Sequence, residues 1–500
     1  MDKKLYKIFF LNLIIFLLVL SPLNVYALSK DRISNSLDLI KLMNESIKEK
    51  DNKIIYFQDK NLEKAIRDKI NKPKGEIYES DVKDIQELVI QHQKISNLEG
   101  IQYLTSLKKL DLWFDEVIDI KQLSSLTNLE YLRLGYNKIV DISPLSNLVN
   151  LTELNLESNK IIDINPLANL SRLKTLSLYN NKVSDLKGLS ELKYLESLNL
   201  YINNIENIEP LSKLTNLTDL SLGMNKISDI DFLKNLTKLT TLELAQNSII
   251  DIKPLTYLTN LKYLYLYGNQ ITDISPLKSL KNLQYLQLSN NKISDIRKLS
   301  SLTSLKHLDL DYNKIKNIKG LGILTGLEAL TLSHNQIVDI SGLSPLSKLN
   351  RLFVDNNKVD NLKGFDKLEN LRSLDISQNK ITDISLLRGL KNLSLTNIHL
   401  EGNHLPEYVF KDKLNQQFIL SMLSPYIDKA VKNYYGEFRQ YMNAGILDIE
   451  QIDRGYRLKI RIETFVGPHN PPYGIDTLTI TKNNSEIKVE EFKHENVSEN

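Results

Sequence analysis

The sequence predicts an α/β solenoid: a curved horseshoe with parallel strands on its concave face, a helical N-terminal cap and a small α+β C-terminal domain. Three observations carry this. The pattern LxLxxN returns every 22 residues through most of the chain, leucines alternate with outward residues inside each copy, and the period stops at Pro406.

The chain opens MDKKLYKIFFLNLIIFLLVLSPLNVYA, with Lys3, Lys4 and Lys7 before an apolar run from Ile8 to Leu20 and the small-residue pattern Val25-Tyr26-Ala27. That is the pattern of a secretory signal peptide, residues 1–27, cleaved after Ala27. The run is shorter than the ~20 residues a spanning helix needs, and no later stretch approaches that length without charges. The mature chain is therefore expected outside the membrane. The sequence holds no cysteine, which removes disulfides, thiolate metal sites and a lipid-modified cysteine together and leaves stability to packing. The formal charge is +3, and the leader carries three Lys against Asp2, so the mature chain is near 3 − 2 = +1. Both signs are spread along it, which argues against nucleic acid and anionic membrane as partners.

Residues 28–82 hold the N-terminal segment and cap. In FQDKNLEKAIRDKINKPKGEIYESDV, Leu62, Ile66 and Ile70 recur at helical spacing, Pro73 and Gly75 break the helix, and Ser80 begins a second short one. Residues 83–405 are the solenoid. Its Asn stands at 137 and every 22 residues to 379, then at 403 after a step of 24; Asp115 and Gln93 occupy the same register upstream. A period in the ~20 to 29 range with this pattern is that of a leucine-rich repeat.

One copy, LTNLEYLRLGYNKIVDISPLSN, shows the logic. Leu132 and Leu134 point inward from a strand, while Tyr131, Arg133 and Gly135 point out. Asn137 turns inward, where its amide both donates to and accepts from backbone that would otherwise be buried unpaired. Ile139 and Ile142 return to the core, and Pro144 starts a short helical turn carrying Leu145 and Leu148. Fifteen such rungs at ~4.8 Å give a concave sheet roughly 70 Å long.

Residues 406–500 form the last domain. A long amphipathic helix is expected through Ile427, Val431, Tyr434, Phe438 and Tyr441. Alternation at Leu458, Ile460 and Ile462 between Lys459, Arg461 and Glu463 marks strands.

The cap followed by units such as NKISDIDFLKNLTKL after Asn225 and NQITDISPLKSLKNL after Asn269 resembles the internalins of Gram-positive bacteria, over about Ile54 to Asn403. The resemblance implies a secreted or surface protein that grips a host or cell-surface protein on its concave face, in adhesion or virulence, without catalysis. The chain ends EFKHENVSEN, without the wall-sorting motif and apolar, basic tail of the anchored members, so covalent wall anchoring is not expected. LSPYIDKAVKNYYGEFRQY with TFVGPHNPPYGIDTLTI resembles a family of uncharacterised small domains in exported Gram-positive proteins.

Outward strand positions lie six, four, two and one residues before each ladder residue. They fall into three zones: Trp113, Phe114, Tyr131, Arg133, Tyr136, Tyr179 and Tyr201 near the N-terminal end; Tyr263, Tyr265, Tyr267 and Tyr285 on two adjacent central strands; and His307, Asp309, Asp311, Tyr312, Phe353, Asp355 and Asp375 beyond. Exposed Tyr and Trp supply large, rigid, half-polar contacts. A lone Tyr179 or Tyr312 fits an ordinary surface aromatic equally well. The Tyr263–Tyr285 group is contiguous, which an ordinary surface does not explain. The candidate partner-binding residues are Trp113, Tyr131, Arg133, Tyr179, Tyr201, Tyr263, Tyr265, Tyr267, Tyr285, Asp309, Asp311 and Phe353. The acidic group Asp309, Asp311 and Asp355 is read as solvated charge, because no loop there has cation-ligand spacing; Ca²⁺ or a basic patch are its alternatives. His399 and His404 lack the i, i+4 metal spacing and are read as ligands of nothing.

The leading expectation is thus a protein-binding protein, with no cofactor and no metal. An enzyme would place its site at GPHNPPYG, around His469 and Tyr473, but the loop reads as a rigid turn and the chain has no nucleophile elbow, phosphate loop or metalloprotease helix. A third reading is a wall-associated structural factor held by the C-terminal domain.

Overall fold

In the computed structural model, residues 52–393, 397–405, 413–436, 440–452, 455–465, 474–483 and 486–496 are described. The leader, Phe438, His469 and Tyr473 lie outside the described residues.

The solenoid forms because each 22-residue unit has one apolar side and can bury it only against its neighbours. Fifteen three-residue strands, shortened to two at the last rung, pair in parallel and in strict chain order from Glu87–Val89 to Ile398–His399. Leu132 sits opposite Leu154, and Leu264 opposite Leu286, one repeat apart. Within one rung, Leu132, Leu134, Ile139, Ile142, Leu145, Leu148 and Leu151 are all buried. The returning side of the rungs is built of 3₁₀ turns such as Ser143–Leu145, with its proline at the first turn.

The ladder asparagines do the work their amide allows. The Asn137 Nδ2 donates to the carbonyls of Leu112, Leu134 and Gly135 at 2.9, 3.0 and 3.2 Å, and its Oδ1 accepts from the Val117 N–H at 2.9 Å. Asp115 shows what the amide is for. Its Oδ1 still accepts from the Gln93 and Ile95 N–H groups, at 2.9 and 3.1 Å. Its Oδ2 has no donor to offer as a carboxylate and no hydrogen-bond partner, and burial raises the carboxyl above its ordinary range.

Two further backbone devices repeat on the opposite side. The Asp of the DI step, replaced by Asn at 207, 317 and 361, accepts from the N–H two residues on, as Asp141 does from Ser143 at 2.8 Å, and so starts the 3₁₀ turn. The Asn of LTNL forms a second ladder, Asn150 donating to the Thr127 carbonyl at 2.9 Å and Asn282 to that of Thr259 at 2.9 Å. Only the first ladder is anticipated by the sequence reading.

The cap is helical with a small sheet added. Helix α1 (Lys60–Lys69) starts at Asp59, whose Oδ1 accepts from the Asn61 N–H while its Oδ2 accepts from Ser96 on the first rung. Helix α2 (Glu79–Val82) begins one residue before the expected Ser80, because the Asp81 carboxylate caps the Tyr78 N–H at 2.8 Å. Strands Ile54–Ile55 and Ile77–Tyr78 pair antiparallel beside them.

The C-terminal domain is one helix, α3 (Lys413–Tyr435), on a four-stranded antiparallel meander: Gln440–Ile452, Gly455–Phe465, Gly474–Asn483 and Ile487–Asn496. The helix is shorter than the expected run. Gly436 takes a left-handed conformation, φ +72°, and ends it, so Tyr441 lies on the first strand. The domain closes the open end of the solenoid. Lys482 and Glu401 form a buried ion pair at 2.6 Å, and the Tyr456 hydroxyl donates to the Leu400 carbonyl at 3.2 Å. Ile384 and Ile398 of the last rungs meet Ile419, Leu423 and Leu458 around an apolar cavity of about 60 Å³.

Candidate protein-binding face

A rung offers four outward positions, and the last of them is conformationally expensive. The residue before every ladder position is left-handed, with φ from +50° at Ser158 to +73° at Gly402. Glycine fills it only at 268 and 402. Phe114, Tyr136, Ile202, Met224 and Tyr312 hold it despite the strain of about 1–2 kcal/mol for an L-residue. The side chains so presented are mostly exposed.

At the N-terminal end Trp113 and Arg133 form one unit. The guanidinium lies 3.6 Å from the indole centroid and 3.7 Å from the buried Asp111 carboxylate. Gly135 makes the space: a Cβ there would lie 2.4 Å from the indole. Tyr136 packs on both Trp113 and Phe114, at 4.7 and 5.6 Å between centroids. Tyr131 stands on the neighbouring position with the Lys109 ammonium 5.5 Å above its ring.

The central tyrosines divide into two groups. Tyr265 and Tyr285 are in contact at 5.3 Å, and Tyr285 meets His307 at 5.5 Å. Tyr263 pairs in register with Tyr285 and is exposed. Tyr267 leaves this group. Its hydroxyl reaches the hydroxyl of Tyr201, three rungs away, at 3.2 Å. The two rings can cross that span because the intervening rungs carry Gly223 and Ala245; a Cβ on Gly223 would lie 2.4 Å from the Tyr201 ring. Tyr201 also stacks on Tyr179 at 6.0 Å. Beneath them a recess of about 440 Å³ is lined by Tyr179, Tyr201, Asp219, Ser221, Thr241 and Glu243. Burial pushes the Glu243 carboxyl up to about 7.

The acidic zone is not the freely solvated charge expected. Asp309 accepts from the hydroxyls of Ser289 and Thr331, at 2.9 and 2.8 Å, and Asp311 from the Ser333 N–H at 2.6 Å. The Ser333 hydroxyl donates to Asp355, and Ser377 to Asp375 at 2.6 Å. The sheet half-buries these carboxyls. Burial, with Asp309 alongside, pushes Asp311 up to about 7, and burial also raises Asp375. Phe353 lies between them in register, next to Asp375. Tyr312 stacks on His334 at 4.0 Å.

Glu243, Gly135, Gly223 and His334 are absent from the sequence-derived set. A glycine two residues before a ladder Asn is the signal that would have found two of them.

Elsewhere, Asp476 is fully buried and clasped by Tyr435, Thr464 and His494 at 2.8, 2.7 and 2.7 Å, tying α3 to three strands. Among the described residues, no three Asp, Glu or His groups are placed to hold a metal ion, and no helix is long and apolar enough to cross a membrane.

A leucine-rich-repeat profile of two copies matches in six windows from residues 127–169 to 281–322, and a single-repeat one matches 367–387. Residues 415–496 match a family described as a protein of unknown function (DUF3888). The crystal structure of an internalin, InlF, from Listeria monocytogenes is similar at 36% identity and a TM-score of 0.58, over 68% of this chain and 94% of that one. The chain belongs to the internalin family. This internalin is also similar to a leucine-rich-repeat protein of Leptospira interrogans, at 31% identity and a TM-score of 0.60, over 64% of this chain and 84% of that one. It shares its fold with the functional domain of InlJ from Listeria monocytogenes, at 20% identity and a TM-score of 0.57, over 86% and 95% of the two chains. No curated protein matches it. The solenoid is a protein-binding architecture, whose stacked strands make an extended concave surface.

Proposed function

We propose that this internalin is a secreted protein that holds a host or cell-surface protein on its concave face, with no catalytic step. The observation that supports this most is the run of tyrosines at the middle of the sheet. Tyr263, Tyr265 and Tyr285 lie together on adjacent strands, outside a core already filled by leucine. Trp113, Tyr131 and Arg133 extend the surface toward the N-terminal end, and Phe353, Asp309 and Asp311 toward the other.

The test is a cross-linking pull-down from host-cell and bacterial-surface extracts with residues 28–500. Replacing Tyr265 and Tyr267 by Ala is expected to leave the circular dichroism and melting unchanged while each costs the captured partner ~2 kcal/mol or more of affinity. Capture that is equal for the double variant and the wild type refutes the concave-face assignment.

A further inference from the structure

We propose that the concave face is shaped for a basic segment of its protein partner, with one Lys or Arg side chain entering the recess between Tyr179, Tyr201, Asp219 and Glu243; this rests on the concave-face reading above. The first support is charge. From the rung of Asn203 to that of Asn379, the outward strand positions carry six carboxyls, Asp219, Glu243, Asp309, Asp311, Asp355 and Asp375, against one Lys or Arg, Arg351. The chain as a whole is +3. The face is therefore negative on a molecule that is not.

The second support is that these carboxyls are left without cations of their own. Among the described residues, several acids away from the concave face pair with neighbouring cations, Glu116 with Lys138 at 2.9 Å, Glu191 with Lys193 at 3.0 Å and Asp295 with Arg297 at 2.7 Å, while others such as Asp141 and Asp251 do not. None of the six concave carboxyls forms an ion pair with Lys or Arg; Asp355 has only His334, at 3.9 Å. Half-burying an unpaired carboxyl costs free energy, which shows in the raised Glu243. A partner's cation recovers that cost.

The third support is the recess itself. An aromatic wall beside a carboxyl is the chemistry that binds a guanidinium or ammonium, the ring face and the carboxylate acting on the same charge. The protein uses that arrangement within itself two rungs before Tyr179, where Arg133 sits between Trp113 and Asp111. In the recess the stacked Tyr179 and Tyr201 and the carboxyls of Asp219 and Glu243 are present, and the cation is to come from outside.

Labelled octa-arginine and octa-glutamate serve as probes, titrated by fluorescence anisotropy at low ionic strength against residues 28–500. Octa-arginine is expected to bind and octa-glutamate not. The pair D219N/E243Q is expected to weaken octa-arginine about tenfold or more, while E191Q/E206Q, which removes the same charge from the loops, stays within about twofold. Melting temperatures no lower than that of the wild type exclude misfolding as the cause. Equal losses in the two pairs, or no preference for octa-arginine, overturn the inference. If a captured partner is lost with Y265A/Y267A but held by D219N/E243Q, the basic-segment inference falls and the concave-face reading stands.

Discussion

The inside of a rung and its concave surface are built from the same three-residue strand, yet they follow opposite rules. Inside, every copy keeps apolar residues at the same positions and the ladder amides repeat one bonding pattern, Asn137, Asn159 and Asn291 making the same set of hydrogen bonds, with Asp115 the exception. Outside, no two neighbouring rungs match, the carboxyls from Asp219 to Asp375 stand without a Lys or Arg partner, and left-handed backbone carries Phe114, Ile202 and Tyr312 where glycine would be relaxed. What repeats holds the fold. What does not repeat, and is left unsatisfied, is free to recognise something else.

The largest expected effect breaks the inner rule. Asn291→Leu takes one donor from each of the carbonyls of Leu266, Leu288 and Ser289, which keep Asn269, Asn313 and the Gly268 N–H, and strands the N–H of Ile271. It is expected to cost about 2–3 kcal/mol in urea unfolding. A loss under about 1 kcal/mol would show that water replaces the amide and that the ladder is not what holds the turn.

The outer rule has a pH signature. Glu243 and Asp311 bind their protons more tightly folded than unfolded, since burial lifts them from 4.5 and 3.8 to about 7. Their contribution is whole below about pH 4 and is lost as pH rises through about 7. Discounted for their partial exposure, each takes away on the order of 1–2 kcal/mol by pH 8. The double variant E243Q/D311N should flatten the fall in unfolding midpoint between pH 5 and pH 8 relative to wild type. Parallel curves would mean that these carboxyls are solvated after all.

Smaller effects come from single sites where one rule intrudes on the other. Asp115→Asn supplies the missing donor to the ladder and should raise stability at neutral pH by about 1 kcal/mol. Ile202→Asn relieves a β-branched residue at φ +56° and should also gain about 1 kcal/mol. Differential scanning calorimetry reads both; a loss at Ile202 would mean that its half-buried side chain packs well enough to outweigh the strain.

Legibility in the sequence follows the same division. The register from Gln93 and Asp115 through Asn137 to Asn403 reveals the fifteen strands, the inward leucines and the outward positions, because a repeat fixes local geometry wherever it recurs. The second ladder through Asn150 and Asn282 was in plain view in LTNL, but an exposed Asn in a loop carries no burial signal. Strands of two residues, Ile54–Ile55 and Ile77–Tyr78, are too short to alternate visibly. Gly436 marked the end of α3, and the four-and-three spacing running on to Tyr441 hid it. On the face, composition by zone is readable, whereas partners are not: Tyr201 meets Tyr267 across 66 residues only because Gly223 and Ala245 leave the path open, and Glu401 meets Lys482 from outside the periodic part of the chain. Contacts that depend on side-chain reach, rather than on register, need coordinates.

Whether recognition lies on the concave face can be read from the place at which a partner cross-links. A photo-reactive benzophenone amino acid introduced at Tyr265, or at Lys278 on the opposite side of the rungs, is irradiated with host-cell and bacterial-surface extracts. A discrete adduct is expected from position 265 that unlabelled wild-type protein competes away, and none from 278; adducts of equal strength at both, or at 278 alone, would place recognition elsewhere.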